Sequence, residues 1–134
     1  MNSAIQQYRQ TDRGEVDFAN PHRIIQMLMQ RFLEHVAHAR GAMERKEIER
    51  KNEHIKKAIM ISAGLRDSLD FEQGGDIARQ LEALYSYFNV RLTEANLHDS
   101  VEMLDEVRDL MLEIKTAWDQ VPDKLKQSGQ QPEP

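Results

Sequence analysis

The sequence predicts an all-helical protein that folds as an antiparallel four-helix bundle. No proline lies between His22 and Val121, and a hundred residues without the strongest helix breaker favour a continuous run of helices. Within that span the apolar residues recur every three or four positions, which is the period of an amphipathic helix. Helix-favouring residue types dominate, and aromatic residues make up only 6% of the chain. The 134 residues are enough for one domain.

The first two helices follow from their capping residues and apolar stripes. The first begins at Asn20-Pro21, a capping residue followed by proline at the first helical position. Its stripe is Ile25, Leu28, Phe32, Val36, Ala39 and Met43. The second is expected from about Lys46 to Leu69, with the stripe Ile48, Ile55, Ile59, Ser62, Leu65 and Leu69. A turn follows at Asp70–Gly75.

The last two helices are bounded by glycine and proline. The third is expected from about Gly75 to Asn96, with the stripe Ile77, Leu81, Leu84, Phe88, Leu92 and Ala95. The fourth is expected to begin at Asp99, where Asp99 and Glu102 mimic a capping box, and to end at Val121-Pro122. Its stripe is Leu104, Val107, Met111, Ile114, Trp118 and Val121. Similar lengths and short connections favour an up-down-up-down topology.

This interpretation divides the chain into an extended amino-terminal arm (1–19), a bundle (20–121) and a polar, proline-bearing tail (122–134) that we expect to be disordered. The arm is too short to fold alone, but it contains isolated apolar residues.

The stripes predict which side chains form the core. These are Leu28, Phe32, Ile55, Ile59, Leu81, Leu84, Phe88, Leu104, Val107, Met111 and Ile114.

Composition and charge exclude several classes of function. The formal charge of −5 argues against a nucleic-acid partner, which requires a basic face. The absence of cysteine excludes disulfides, thiolate catalysis and a zinc site built on sulfur. No segment reaches the roughly 20 apolar residues of a membrane span, and no signal peptide is visible. We therefore expect a soluble, cytoplasmic protein without membrane insertion.

The histidines offer no catalytic or metal-binding pattern. A di-iron bundle needs Glu-x-x-His on two helices, and no histidine here has glutamate three residues before it. His35 and His38 are three apart on one helix, but two such ligands alone are more often a surface pair. A phosphotransfer bundle is the remaining enzyme-like alternative, and the segment from His38 to Ala42 departs from it because Gly41 comes one residue too early. We expect no catalytic residue, cofactor or metal.

Several large apolar residues fall outside the four stripes, and together they predict a groove for an amphipathic partner helix. Met27 and Leu33 do so on the first helix, and the remainder lie on the other three. With two residues of the arm at the rim, the candidate client-binding residues are Ile5, Tyr8, Met60, Ile61, Tyr87, Val90, Leu97 and Leu112. Because they lie off the core stripes, Ile61 and Val90 are expected to be exposed.

The order of several short motifs resembles one family, the FliS family of flagellar export chaperones that bind flagellin. The resemblance runs from about Tyr8 to Val121. It is carried by Asn20-Pro-His-Arg-Ile-Ile-Gln-Met-Leu, Ala39-Arg-Gly-Ala-Met, Ser68-Leu-Asp, Leu84-Tyr-Ser-Tyr-Phe, Leu92-Thr-Glu-Ala-Asn-Leu, Leu104-Asp-Glu-Val-Arg and Ala117-Trp-Asp. One departure is visible: Met29 and Arg31 stand where the family usually has an aromatic residue and a small one.

The resemblance implies a cytoplasmic, non-enzymatic helical bundle. It implies binding of the disordered carboxy-terminal segment of flagellin, protection from early polymerisation, and delivery to the flagellar type III export apparatus. It also implies that the client wraps around the bundle and gains helix, with Tyr8 of the arm near the client surface. A regulator that binds another disordered flagellar protein is the alternative, because it would need the same groove.

Overall fold

Four helices make up the computed structural model, which describes residues 20–124 and contains no strand in that range. Each helix packs against its neighbours in a closed square: α1 against α2 and α4, and α3 against α2 and α4. The helices are α1 (Pro21–Glu44), α2 (Ile48–Asp67), α3 (Phe71–His98) and α4 (Val101–Lys124). The predicted all-helical bundle is therefore confirmed, and the predicted arm lies outside the described residues.

Polar contacts between the helices show that neighbours run antiparallel. His22 at the start of α1 contacts Trp118 near the end of α4. At the other end of the same pair, Arg40 of α1 bonds Asp105 of α4 at 2.7 Å. Lys51 near the start of α2 donates to the backbone carbonyl of Asn96 near the end of α3. The up-down-up-down topology follows.

The core contains the central stripe of every helix. Phe32 of α1 and Phe88 of α3 lie on diagonal helices, and their ring centroids are 5.7 Å apart. Among the predicted core residues, those fully buried are Leu28, Phe32, Ile55, Phe88, Leu104, Val107 and Met111. Those partly buried at the edge of the core are Ile59, Leu81, Leu84 and Ile114. Met29, one of the departures from the family pattern, is fully buried in this core.

Two stripe residues, Ile48 and Ile77, are exposed instead of buried. Ile48 is the first residue of α2, and Ile77 follows Gly75, where α3 has non-helical dihedral angles (φ 50°, ψ −124°). Both lie at an end of the bundle. The helical period therefore places them on the correct side of a helix, but at a level where a neighbouring helix does not cover them.

Of the four predicted helix starts, those of α1 and α2 lie within two residues of the observed ones, and those of α3 and α4 are corrected by the observed caps. Asn20 caps α1 as predicted, and its side chain accepts from the amide of Arg23. Helix α3 begins earlier than predicted, at Phe71, because the carboxylate of Asp70 accepts from the amides of Glu72 and Gln73.

The cap of α4 is Ser100, so the prediction of Asp99 is wrong. The Ser100 hydroxyl accepts from the amide of Met103 at 3.2 Å. Asp99 instead ends α3 in the left-handed conformation (φ 50°), which short polar residues tolerate, and its carboxylate accepts from the buried ammonium of Lys51. One residue thus terminates α3 and ties it to α2.

Helix α4 continues past Pro122 to Lys124, so the predicted end at Val121-Pro122 is wrong. Proline lacks the amide hydrogen that would bond the carbonyl of Trp118 four residues earlier. That carbonyl is satisfied by His22 of α1, whose Nε2 donates to it at 2.7 Å. The indole Nε1 of Trp118 donates to the His22 carbonyl at 3.1 Å, and the two rings stack 4.6 Å apart. A contact between helices therefore replaces the bond that proline removes.

Candidate partner-binding surface

Eight large apolar side chains are exposed in the described part of the chain, and they are distributed unevenly. None belongs to α1, and five belong to α3. They are Ile48, Met60, Phe71, Ile77, Tyr87, Val90, Leu97 and Leu112. The exposed apolar surface therefore lies mainly on α3, with Met60 on the neighbouring α2.

Five predicted site residues are exposed as expected: Met60, Tyr87, Val90, Leu97 and Leu112. Val90 is 56% exposed and Leu97 is 74% exposed. The two candidates in the arm, Ile5 and Tyr8, lie outside the described residues.

Ile61 is only 4% exposed, so the prediction that it lies outside the core is wrong. It lies seven residues after His54, on the same side of α2. His54 contacts His35 of α1, with 3.0 Å between the two Nδ1 atoms. This side of α2 therefore faces α1, and Ile61 belongs to the interface between the two helices. The predicted stripe of α2 includes Ser62, which contacts α3, and omits Ile61, so it covers too little of the side that faces α1.

Three of the five exposed apolar residues of α3 lie along one face. Tyr87 and Val90 are three residues apart, and Leu97 follows seven residues after Val90, which keeps the same helical face. Ser62 of α2 donates to the carbonyl of Tyr85 at 3.1 Å. Because α2 and α3 are antiparallel, Met60 is level with Tyr87. The structure therefore brings three predicted residues, Tyr87, Val90 and Leu97, to one face of α3, whereas Met60 is exposed on α2 at the level of Tyr87.

Leu112 lies apart from that group. Gln26 bonds Asp119 at 2.7 Å and Arg40 bonds Asp105 at 2.7 Å, which fixes the register of α1 and α4. Leu112 is seven residues from each aspartate, so it lies on the side of α4 that faces α1. The same register places Leu33 of α1 opposite it. Leu112 is therefore on a different face from the exposed residues of α3.

A polar network fixes Tyr87 at the edge of α3. Its hydroxyl donates to Glu106 of α4, and the guanidinium of Arg91 donates to the other oxygen of Glu106 at 2.9 Å. Arg91 also pairs with Glu94 at 3.2 Å and lies 5.9 Å from the centre of the Tyr87 ring. Hydrogen bonds from Tyr87 and Arg91 lower the pKa of Glu106, and the bond to Glu106 raises the pKa of Tyr87.

Sequence reasoning missed this network, although the spacing of its α3 members contained a signal. Tyr87 and Arg91 are four residues apart, and Arg91 and Glu94 are three apart, both spacings that place side chains together on a helix. The part played by Glu106 depends on the register of α4 against α3, which the sequence alone does not define.

The histidines form a cluster between α1 and α2. The His38 and His54 rings stack 4.9 Å apart, and His35 contacts His54. Burial, followed by the nearby His54 and Lys57, lowers the pKa of His35 to about 4. Over residues 20–124, no group of three or more His, Cys, Asp or Glu side chains is arranged to hold a metal ion. Within the same range, no helix combines the length and apolar character needed to cross a membrane.

Known proteins similar to this chain share nearly its whole length. The model of the family described as "Flagellar protein FliS" matches residues 1–125. The flagellar secretion chaperone FliSB of Pseudomonas aeruginosa is 51% identical over 87% of this chain and 93% of its own. The flagellar secretion chaperone FliS of Vibrio cholerae is 38% identical over 91% of this chain and 90% of its own. The flagellar secretion chaperone FliS of Salmonella typhimurium is 37% identical over 91% of this chain and 92% of its own.

These relatives bear the names of secretion chaperones, which supports a role in flagellar export and indicates a non-enzymatic protein. The sequence resemblance to FliS is thereby confirmed. With a family match over residues 1–125 and relatives this similar along most of their length, the chain belongs to the FliS family of flagellar proteins.

Proposed function

We propose that this protein is a cytoplasmic chaperone that binds the carboxy-terminal segment of flagellin and delivers it to the flagellar type III export apparatus. The observation that carries the proposal is the exposed apolar face of α3 in a member of a family whose relatives are named secretion chaperones. A client that is disordered when free can cover such a face by folding an amphipathic helix onto it.

The same surface explains how binding delays polymerisation. A flagellin segment that lies on Tyr87, Val90 and Leu97 uses its own apolar side chains in that contact, so these side chains are withheld from other flagellin molecules. Met60, which is exposed on the neighbouring α2, is a further apolar side chain available to a client. Its thioether side chain is flexible, which suits a surface that accommodates a client as it folds.

A capture experiment tests the client and the segment together. The purified chaperone is immobilised and exposed to full-length flagellin and to flagellin that lacks its carboxy-terminal segment. We expect capture of the first and not of the second. Capture of both, or of neither, would contradict the proposal. Recovery of a different flagellar protein from a cell lysate, without flagellin, would favour a regulator.

Delivery is tested separately in cells. A strain that lacks the chaperone gene is complemented with the parent chain or with Val90→Asp, whose substitution lies on the exposed face. We expect the parent to restore flagellin secretion and the variant to restore less, at equal chaperone abundance. Equal secretion by both would show that the exposed face of α3 is not needed for export.

A further inference from the structure

The first turns of α3 leave two apolar side chains uncovered at one end of the bundle. Ile77 is 68% exposed and Phe71 is 40% exposed. Ile77 lies four residues before Leu81, which packs against the core, so the two side chains share one side of α3. Ile77 therefore belongs to the inward side of α3, although no helix of the described range covers it.

The register of α1 against α3 explains why Ile77 is uncovered. The two helices are diagonal and run in the same direction, and the rings of Phe32 and Phe88 lie 5.7 Å apart. Pro21, the first residue of α1, is eleven residues before Phe32, and Ile77 is eleven residues before Phe88. Ile77 is therefore level with the point at which α1 begins.

Helix α2 also fails to reach this level. Ser62 of α2 donates to the carbonyl of Tyr85 at 3.1 Å. Ile77 is eight residues before Tyr85, and α2 is antiparallel, so the matching position lies eight residues after Ser62, at Asp70. Helix α2 ends at Asp67. A space beside Ile77 is therefore left between the end of α2 and the start of α1.

The segment that leads into α1 enters the bundle at this space. Asn20 has non-helical dihedral angles (φ −116°, ψ 89°), so the preceding chain turns away from the line of the helix. An extended chain advances at most about 3.6 Å per residue, which keeps Phe18 within about 7 Å and Val16 within about 14 Å of Asn20. Two apolar side chains are thus held at the end of the bundle where Ile77 is exposed.

Other occupants fit this end less well. The tail also begins here, after Lys124, but Leu125 is the only large apolar residue in its sequence. A second copy of this chain would need about 800 Å² of contact on each partner for a stable dimer. Phe71 and Ile77 supply two side chains toward such a contact.

We infer that residues 15–19 of the arm dock at this end of the bundle, with Phe18 against Ile77 and Val16 beside it. This contact buries apolar surface on both sides and anchors the arm to α3. Gly14, the arm's one glycine, separates the anchor from the rest of the arm, and glycine adopts backbone conformations that other residues avoid. The part before Gly14 can therefore move toward or away from a client while residues 15–19 stay in place.

Thiol alkylation tests the contact, because the chain has no cysteine of its own. Ile77→Cys places a thiol at the proposed contact. Arg79→Cys is the matched control, because position 79 is two residues later and about 200° around α3, with a side chain that is 62% exposed. We expect Phe18→Ser to raise the alkylation rate at position 77 about fivefold or more, and to change the rate at position 79 less than about twofold.

Thermal unfolding of cysteine-free variants tests the same contact without a reagent. We expect Phe18→Ser to lower the midpoint by about 3 °C or more in the parent, because an apolar contact is lost. In an Ile77→Ser background, the same substitution should lower the midpoint by less than half as much, because its partner is already absent. Equal shifts in the two backgrounds would overturn the pairing of Phe18 with Ile77.

The remaining outcomes decide between occupants. An unchanged alkylation rate at position 77 in Phe18→Ser would overturn the docking, and equal increases at positions 77 and 79 would show a general loosening of α3 instead. Protection at position 77 that rises with chaperone concentration would identify a second copy as the occupant.

Addition of the flagellin segment tests whether the anchor stays in place. We expect saturating segment to change the alkylation rate at position 77 less than about twofold. An increase as large as that caused by Phe18→Ser would overturn the fixed anchor, because the whole arm would then leave. Failure of the folded parent to bind flagellin would contradict the proposed function and leave the docking of residues 15–19 standing, because that contact requires no client.

Discussion

The imidazole of His22 supplies the hydrogen bond that Pro122 is unable to make, which explains how α4 continues beyond a proline. His22→Phe keeps an aromatic ring beside Trp118 but removes the donor to its carbonyl. We expect it to lower the free energy of unfolding by about 0.5–1.5 kcal/mol. In a Pro122→Ala background the backbone amide satisfies the carbonyl, so the same substitution should cost less.

A double-mutant cycle by urea denaturation measures that difference. The four proteins are the parent, the two single variants and the double variant. If His22→Phe costs the same with and without Pro122→Ala, the hydrogen bond does not compensate for the proline, and stacking alone accounts for the contact.

The histidine cluster predicts a loss of stability in acid. Burial holds the pKa of His35 at about 4, below the usual 6.5 of histidine, and burial also lowers the pKa of His54. Between pH 6.5 and 4 the unfolded chain therefore binds more protons than the folded chain, and stability falls as pH decreases through that window. Protonation of His35 would also place its positive charge near those of Lys57 and Arg31.

Thermal unfolding from pH 7.5 to pH 4 checks this prediction. We expect the midpoint of His35→Gln to fall less over this range than the midpoint of the parent. His98→Gln, an exposed substitution at the end of α3, is the control and should follow the parent. Parallel curves for the parent and His35→Gln would show that the cluster does not govern acid sensitivity.

At the scale of elements, the sequence predicts all four helices. Of the two capping residues that it proposes, Asn20 and Asp99, only Asn20 is the cap in the structure. Asn20 was identifiable because cap and proline adjoin in the sequence. Asp99 and Ser100 are neighbours, and both residue types can cap a helix. The left-handed conformation of Asp99 makes Ser100 the cap, and a sequence pattern does not reveal that conformation. Pro122 predicts a helix end in the sequence, because the donor that compensates for it, His22, lies 100 residues earlier in the chain.

The sequence pattern also does not define which side of α2 is buried. Neighbouring apolar residues of α2, such as Ile59, Met60 and Ile61, are all compatible with burial, and only the contacts with α1 show that Ile61 is covered. The exposed side of α3 was predictable, because its inner stripe is long and regular. Tyr85 is not part of the predicted stripe of α3, yet it is fully buried, and burial raises the pKa of its phenol to about 12.

Matched aspartate substitutions test these two placements. Ile61→Asp introduces a charge between α1 and α2, and we expect it to destabilise the bundle by about 3 kcal/mol or more. Val90→Asp lies on the exposed face and should change stability by less than about 0.5 kcal/mol while weakening flagellin capture. Urea denaturation and the capture assay measure the two effects. Equal destabilisation by both would mean that the outer face of α3 is structurally required.

The amino-terminal arm is the element whose proposed role remains a prediction. We expect Ile5 and Tyr8 to cover the client surface in the free protein and to leave it when flagellin binds, because a covered apolar face limits self-association. Deletion of residues 1–10 should change flagellin affinity and increase self-association, measured by titration calorimetry and sedimentation velocity. Unchanged values in both experiments would show that the arm has no part in the site.

For the whole molecule, the sequence established the fold class and the absence of a catalytic pattern, since both depend on residue types and spacing along one helix. The arrangement of the site required the structure. Leu112 and Val90 are both exposed, yet the register of α4 against α1 assigns Leu112 to another face. Spacing along a helix indicates which residues share a side, whereas contacts between helices determine which sides meet.

Binding thermodynamics test the proposed mechanism at this scale. A segment that folds as it covers Tyr87, Val90 and Leu97 buries apolar surface, so we expect a negative heat-capacity change, and ordering the segment should cost about 2–5 kcal/mol or more of the gross interaction energy. Because the proposed contact is mainly apolar, affinity should fall only modestly between 0.05 and 0.5 M salt, over which the screening length shortens to about 4 Å. Calorimetric titrations at three temperatures and two salt concentrations measure both quantities. A heat-capacity change near zero with a steep loss of affinity in salt would show that charge, and not the apolar face of α3, dominates the recognition of flagellin.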